Sequence, residues 1–492
     1  MNRGIREFPL TSEAQSETVL PREYPLCVDM DGTLLKTDTL VESIILLLKS
    51  NAFYLLMLCV WMLKGKAFLK HELARRVVPD VAQLPFRSEF LNYLREQRAA
   101  GRKLVLVTGA HIDVAKRVAD HLGLFDEVLA TDGEINLTGG AKLRALNKRF
   151  GERGYDYAGN ERADLIIWEH ARNAILVGTS DHVLKRAQCL AHVTKVVEPR
   201  ANPLRYLLSA VRPHQWVKNI LLFVPLITSH QVADGRLGLM CFIGFVAFSF
   251  CASSVYIVND LLDMESDRQH PSKRERPFAS GNLSPWWGIA ISPLLLGGSF
   301  GVASVLPDTF VWLLALYFVG STAYSFTLKK RAIVDVLVLA GLYTIRIYAG
   351  SEAIGVIVSP WLLAFSGFAF LSLAFIKRGS ELLILGQLGE TSVHGRGYSV
   401  SDSQFVFSVG PASGYMACLV LALYVSSPDI AKLYSRPGLL WLLCPIILFW
   451  ISRIWLLCSR NQMSQDPIVF ALRDRTSYVV AVVAGLIMLL AK

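Results

Sequence analysis

Apolar and polar positions are arranged in two different ways along this 492-residue chain. Before about residue 215, short apolar runs such as "PLCV" and "KLVLV" alternate with mixed polar stretches, the texture of a soluble α/β domain. After it come windows that approach the ~20 apolar residues a bilayer-spanning helix requires. Nine candidate spans are predicted, at 217–230, 237–258, 286–305, 309–327, 332–350, 358–376, 405–425, 438–457 and 477–491. The first is short, so eight is the alternative count. The first 25 residues are polar and contain no apolar core of a secretory signal, so none is expected. The expected layout is a polar tail at 1–21, a soluble domain at 22–200 with a helical cap at about 36–100, and an all-α membrane domain at 201–492.

The formal net charge of +10 raises the question of nucleic acid. Its placement gives a different answer. With the N-terminal domain on the cytoplasmic side, one set of loops carries 13 basic residues: Arg268, Lys273, Arg274, Arg276, Lys329, Lys330, Arg331, Lys377, Arg378, Arg396, Arg460, Arg473 and Arg475. The opposite set carries three, Arg236, Lys432 and Arg436. That imbalance is the positive-inside pattern. Basicity therefore reads as membrane topology plus anionic ligands, with no nucleic acid. The 8 cysteines form no CxxC pair and fit a reducing compartment.

In the first domain, "YPLCVDMDGTLLKTDTL" opens as a short apolar strand and ends in Asp29, Asp31 and Gly32. A carboxylate at a strand's C-terminal tip lies where open α/β sheets bind ligands. A second carboxylate two residues on provides a nucleophile and an acid/base around one metal. The strand "KLVLVTGA" ends in Thr108, a hydroxyl for a phosphate oxygen; Lys142 follows in "TGGAKLRAL", and "YDYAGNERADL" supplies Asn160 and Asp164.

These four motifs in order resemble the haloacid dehalogenase (HAD) superfamily over roughly residues 22–195. The resemblance implies a Rossmann-like sheet, Mg²⁺ and an aspartyl-phosphate intermediate. Asp29 becomes the nucleophile, Asp31 the general acid/base, Thr108 and Lys142 the phosphoryl holders, and Asp29, Asp31, Asn160 and Asp164 the metal residues. The family tip usually reads GDxxxD. Here it reads "GNERAD", with Asn160 supplying an amide oxygen of lower charge. A docking module without catalysis is the alternative. Between the first two motifs, "VESIILLLKSNAFYLLMLCVWMLKG" is very apolar for a cap. A buried cap helix pair and a hairpin that dips into the membrane are both open.

In the membrane domain, "NDLLDMESDRQHPSKRERPFASG" follows an apolar run. On one regular helix Asp260, Asp263 and Asp267 form a stripe at i, i+3 and i+7, with Asn259 beside it. Such mutually repelling acids call for cations. Oxygen ligands suit Mg²⁺, and Arg268, Lys273, Arg274 and Arg276 suit phosphate. Asp335 and Arg346 lie eleven residues apart within one apolar span, on one predicted helix face. An arginine within such a span is a functional candidate by default.

The complete NDxxDxxxD motif resembles the UbiA superfamily of intramembrane transferases, over about residues 205–492. That family implies Mg²⁺ held by Asn259, Asp260, Asp263 and Asp267, with Asp263 and Asp267 central to catalysis. "RPHQWVKN", "YSFTLKKRAIVDVLVLAGLYTIRIYAG" and "FIKRGSEL" are similar to the branch that transfers phosphoribose to decaprenyl phosphate. The second acidic motif, DxxxD, of aromatic prenyltransferases is absent. Substrate anions would then meet Lys218, Arg268, Lys273, Arg274, Lys329, Asp335, Arg346, Lys377 and Arg378. The resemblance implies phosphoribosyl diphosphate, a polyprenyl phosphate and a downstream epimerase as partners. It places the protein in a bacterial plasma membrane, with its N-terminal domain and active sites facing the cytoplasm. An aromatic prenyltransferase is the alternative.

Overall fold

A computed structural model describes residues 5–6, 24–51, 53–132, 136–198, 202–271, 273–387, 389, 396–428, 430–463, 467–471 and 473–492. Apart from Ile5–Arg6, the expected polar tail at 1–21 lies outside the described residues. The chain forms two compact units, Met1–Val211 with Tyr256–Ser292, and Arg212–Val255 with Pro293–Lys492.

The first unit is built on seven strands: β1 (Ile5–Arg6), β2 (Leu26–Val28), β3 (Leu104–His111), β4 (Glu127–Thr131), β5 (Asp156–Gly159), β6 (Ala174–Val177) and β7 (Val193–Val197). Their order is β1-β7-β6-β5-β2-β3-β4, and only β1, on the edge, runs antiparallel. Side chains alternate between faces with period two. Leu26, Val28, Leu104 and Leu106 share one core with Phe90 and Leu94 of helix α4 (Ser88–Ala99) and Val114 and Val118 of α5 (Ile112–Leu122). Cys27, Val105 and Val107 share the other with Leu146 of α6 (Gly140–Phe150), Trp168 of α7 (Leu165–His170) and Ala187 of α8 (Asp181–Leu190). Burial on both faces is why these strands read as continuous apolar runs. Trp168 is fully buried, a contribution of about 1.5–3 kcal/mol by area. Its indole N–H donates to the Tyr157 carbonyl at 3.2 Å, which anchors α7 to β5.

Helices α1 (Thr39–Ser50), α2 (Tyr54–Leu63) and α3 (Lys66–Ala74) form the cap, joined by Leu47, Leu58, Trp61, Leu69 and Leu73. α4, which the 36–100 estimate included, belongs instead to the sheet's core.

Among the described residues, seven helices are long and apolar enough to cross a membrane: Gly235–Leu262, Pro285–Ala303, Asp308–Phe326, Val334–Ile354, Pro360–Gln387, Val400–Val425 and Pro437–Ser459. The predicted span at 477–491 is a 17-residue helix, Arg475–Ala491. The one predicted at 217–230 is a 3₁₀ segment, Pro213–Phe223, followed by the five-residue helix Val224–Thr228. Pro213 and Pro225 each sit at the start of an element, where their missing N–H costs least, so the stretch is divided between two short pieces. Small residues let the second unit's helices approach closely. Ser372 donates to the Gly410 carbonyl at 2.8 Å and accepts from Trp455 Nε1 at 3.0 Å. Lys377 and Arg378, counted from the sequence as loop charges, lie inside Pro360–Gln387.

Candidate active sites

β2 is flanked by β3 and β5, both parallel, so Asp29 just beyond it occupies the switch point of the sheet. The turn that follows places Gly32 at φ +76°, and a side chain there would collide with Asn160. Asp29, Asp31, Thr108, Lys142, Asn160 and Asp164 all line one cavity of about 200 Å³. The residues singled out in the four sequence motifs therefore converge.

Lys142 Nζ donates to Asp29 Oδ1 at 2.6 Å and to the Tyr157 hydroxyl at 3.1 Å, and that hydroxyl donates to Asp164 Oδ1 at 2.9 Å. Burial pulls the Lys142 pKa down, but Asp29 and Asp164 outweigh it, so the ammonium stays charged. Burial raises Asp29, opposed by the Lys142 charge. Asp31 is pushed up to about 8 by burial and then by the Asp38 charge, although Thr39 donates to it through N–H and hydroxyl at 2.9 and 3.2 Å. Burial thus raises both neighbouring acids, and Asp29 has the Lys142 ammonium bonded directly to it. Thr33 donates to both Asp29 Oδ2 and Asn160 Oδ1 at 3.1 Å, which ties the amide to the loop. Asp164 Oδ2 accepts the Asn160 and Glu161 N–H groups at 3.0 Å. Thr108 turns its hydroxyl to the Ala110 N–H at 3.0 Å.

Hard oxygen donors on Asp29, Asp164 and Asn160 fit one divalent cation by type. Among the described residues, no group of three or more His, Cys, Asp or Glu side chains is assembled tightly enough to hold an ion alone. Water and phosphate oxygens would complete the shell.

The sequence motifs missed Tyr157, whose signal is only a tyrosine within "YDYAGN". They also missed Lys70, which reaches from α3 to the Gly109 carbonyl at 2.5 Å and Asn136 Oδ1 at 2.9 Å. His71 and His111 face each other beside it, with ring nitrogens 3.2 Å apart.

The aspartate motif departs from one regular helix. Gly235–Leu262 ends before Asp263, and a second helix, Met264–Gln269, begins after it. The i→i+4 bonds still cross the join: Asp263 N–H to the Asn259 carbonyl at 2.9 Å and Asp267 N–H to the Asp263 carbonyl at 2.8 Å. The register of the stripe therefore survives. Arg276 Nη1 lies 3.1 Å from Asp260 Oδ1 and 2.6 Å from Asp267 Oδ2, both acids being buried. Burial raises the Asp267 pKa and Arg276 opposes it. The oxygen set Asn259, Asp260, Asp263 and Asp267 suits Mg²⁺ once that arginine gives way. Arg268, expected to bind substrate, donates instead to Glu42 and to the Ala279 carbonyl. Lys273 is half-buried, and Arg274 is exposed beside Glu275.

In the second unit, Asp335 and Arg346 share the helix Val334–Ile354 but serve separate networks, about 16 Å apart along its axis. Arg346 donates to Asn219 Oδ1 at 2.8 Å and to the Tyr317 hydroxyl at 2.9 Å. Asp335 pairs with Arg378 at 2.5 Å and accepts the Tyr324 hydroxyl at 2.7 Å. Glu381 and Arg396 complete that cluster. Asp335 is thus the counter-ion of an arginine. Lys218 is buried on the Pro213–Phe223 segment, and Lys329 is half-buried in the turn Leu328–Lys330.

Fold and sites define a multi-pass membrane protein that carries an α/β domain of phosphohydrolase type. The model of the UbiA prenyltransferase family matches residues 220–380, and that of the haloacid dehalogenase-like hydrolases matches residues 26–165. The chain is 36% identical over 461 residues to the uncharacterized protein y4nM of Sinorhizobium fredii, covering 93% of this chain and 89% of that one. It is 34% identical over 208 residues to decaprenyl-phosphate phosphoribosyltransferase of Mycolicibacterium smegmatis, 40% of this chain and 65% of that one. A solved UbiA homolog from Archaeoglobus fulgidus bound to GPP and Mg²⁺ aligns over 57% of this chain and 96% of its own, at 15% identity and a TM-score of 0.45. The chain belongs to the UbiA family, with a HAD hydrolase domain fused at its N-terminal side.

Proposed function

We propose that the membrane domain transfers 5-phosphoribose from phosphoribosyl diphosphate to a polyprenyl phosphate, and that the HAD domain then removes the 5-phosphate. The product would supply lipid-linked ribose or arabinose donors for envelope glycans in a bacterial plasma membrane, with chemistry on the cytoplasmic side. The observation that carries this reading is the Asp335–Arg378 pair. Where an aromatic prenyltransferase would need a second free acidic group, this chain holds an acid neutralised by arginine, in a cluster of two acids and two arginines. The similarity to decaprenyl-phosphate phosphoribosyltransferases supports it.

In the transfer, the C1–O bond of the donor breaks, pyrophosphate leaves with the bonding pair, and a phosphate oxygen of the lipid forms the new bond to C1. Mg²⁺, when bound at Asn259, Asp260, Asp263 and Asp267, supplies charge stabilisation to the leaving diphosphate. Arg276, displaced from those acids, and Lys273 would meet phosphate oxygens. In the phosphatase step Asp29 attacks the 5-phosphate, Asp31 gives its proton to the departing ribose oxygen, and Lys142 holds the phosphoryl charge. Asp31 then takes a proton from the water that releases inorganic phosphate.

The test is incubation of purified protein in detergent with Mg²⁺, labelled phosphoribosyl diphosphate and polyprenyl phosphate, followed by lipid mass analysis. Wild type should yield a ribosyl lipid, and Asp29→Asn the same lipid retaining its phosphate, while Asp263→Asn should yield neither. A product that keeps its phosphate in wild type would remove the second step. Absence of any ribosyl lipid, with prenyl transfer to an aromatic acceptor instead, would replace the first.

A further inference from the structure

Helix α2 reads YLLMLCVWML and is apolar on every side. Leu58 and Trp61 turn inward against α1 and α3. The outward residues are uncovered: Phe53, Leu56, Met62 and Leu63 are 80, 70, 61 and 89% exposed, and Leu55, Met57, Cys59 and Val60 are exposed as well. No charged residue occurs between Lys49 and Lys64. A helix facing water presents a polar stripe on its outer side; this one has none.

We propose that α2 is buried in the headgroup–acyl boundary of the bilayer and holds the cap at the lipid surface. Ten residues extend about 15 Å, half the ~30 Å hydrocarbon thickness, so the helix lies in the interface and does not cross it. Lysines bracket it, Lys49 on one side and Lys64 and Lys66 on the other, at positions suited to anionic headgroups. The surface is a single convex helix, a shape that lipid covers without a complementary partner. Among the described residues the same chain has seven helices long and apolar enough to cross a membrane, so a bilayer is part of its surroundings. Gly65, at φ +107°, turns the chain directly into α3, which carries Lys70 into the catalytic cavity. Insertion of α2 therefore positions the mouth of that cavity for a phosphate borne on a lipid. This last consequence rests on the phosphatase reading above; the insertion itself does not.

Cys59 offers the probe. The full chain with Cys189→Ser and Cys444→Ser is labelled at Cys59 with an environment-sensitive fluorophore and reconstituted into vesicles of neutral and anionic phospholipid. Insertion predicts blue-shifted emission and at least threefold quenching by lipids spin-labelled at a shallow acyl position. Emission as in water, without lipid quenching, overturns the proposal. So does shielding by a second copy, detected as Cys59–Cys59 cross-linking of the unlabelled protein together with absence of lipid quenching of the labelled one.

A Leu56→Asp, Leu63→Asp variant should lose at least tenfold in hydrolysis of a lipid-borne phosphate yet hydrolyse p-nitrophenyl phosphate like wild type. If both activities fall together, the quenching result decides. If wild type hydrolyses neither ester, the phosphatase reading fails, while the quenching result still stands for or against insertion.

Discussion

Glu42 on the cap helix α1 grips Arg268, the residue next to Asp267 of the aspartate motif, with two hydrogen bonds of 2.9 and 2.5 Å. The two side chains are only 5% and 9% exposed. One helical turn earlier, Thr39 on the same helix donates to Asp31. One helix thus touches Asp31 of one candidate site and the flank of the other. Glu42→Gln should leave Arg268 buried and under-compensated, a loss of about 3–5 kcal/mol. Thermal unfolding in detergent should show the drop. The Glu42→Ala, Arg268→Ala double variant should recover part of it, as a coupled pair requires.

The phosphatase rate should decline above about pH 8, because Asp31 must be protonated to act as the acid and its pKa is pushed up to about 8. The basic limb of a pH profile on a soluble ester reports it, and Asp31→Asn should abolish that limb along with most activity. The same shift has a stability consequence. The native state keeps a proton that the unfolded chain has already released, so stability falls as pH rises from the ordinary carboxylate range through about 8. Unfolding midpoints between pH 5 and 8 should show this slope in wild type and less of it in Asp31→Asn.

Replacing Asn160 by Asp adds charge to the oxygen donors beside Asp29 and Asp164. The Mg²⁺ concentration for half-maximal phosphatase activity should fall about tenfold, since ligand charge sets affinity for hard cations. A titration with Mg²⁺ measures this directly.

Tyr157→Phe removes the hydroxyl that joins Lys142 to Asp164. Loss of a positioning contact of this kind costs about 10–100-fold in activity. The effect should fall on kcat with little change in KM, and the buried bond should cost about 1 kcal/mol of stability.

Much of the first domain was legible because its chemistry is local. "VDMDGT" encodes a buried strand, a turn that needs glycine and two acids two positions apart, and the structure places both acids in one cavity. Tyr157 and Lys70 were not legible, because each acts across distant segments: Tyr157 bonds a lysine 15 positions away, and Lys70 a carbonyl 39 away. Helix periodicity placed Asp335 and Arg346 on one face, correctly as geometry. It carried no information about their partners, which come from other helices. The span predicted at 217–230 was misjudged in type, since hydropathy does not register what two prolines do to a helix.

Arg276 bears on how the proposed Mg²⁺ site would behave without its ion. Because the guanidinium already lies between Asp260 and Asp267, the buried acids have a resident countercharge. Small metal-dependent domains commonly unfold when their metal is removed. On the proposed reading, a chelator should silence transfer while leaving the unfolding midpoint nearly unchanged, and added Mg²⁺ should restore the activity without refolding.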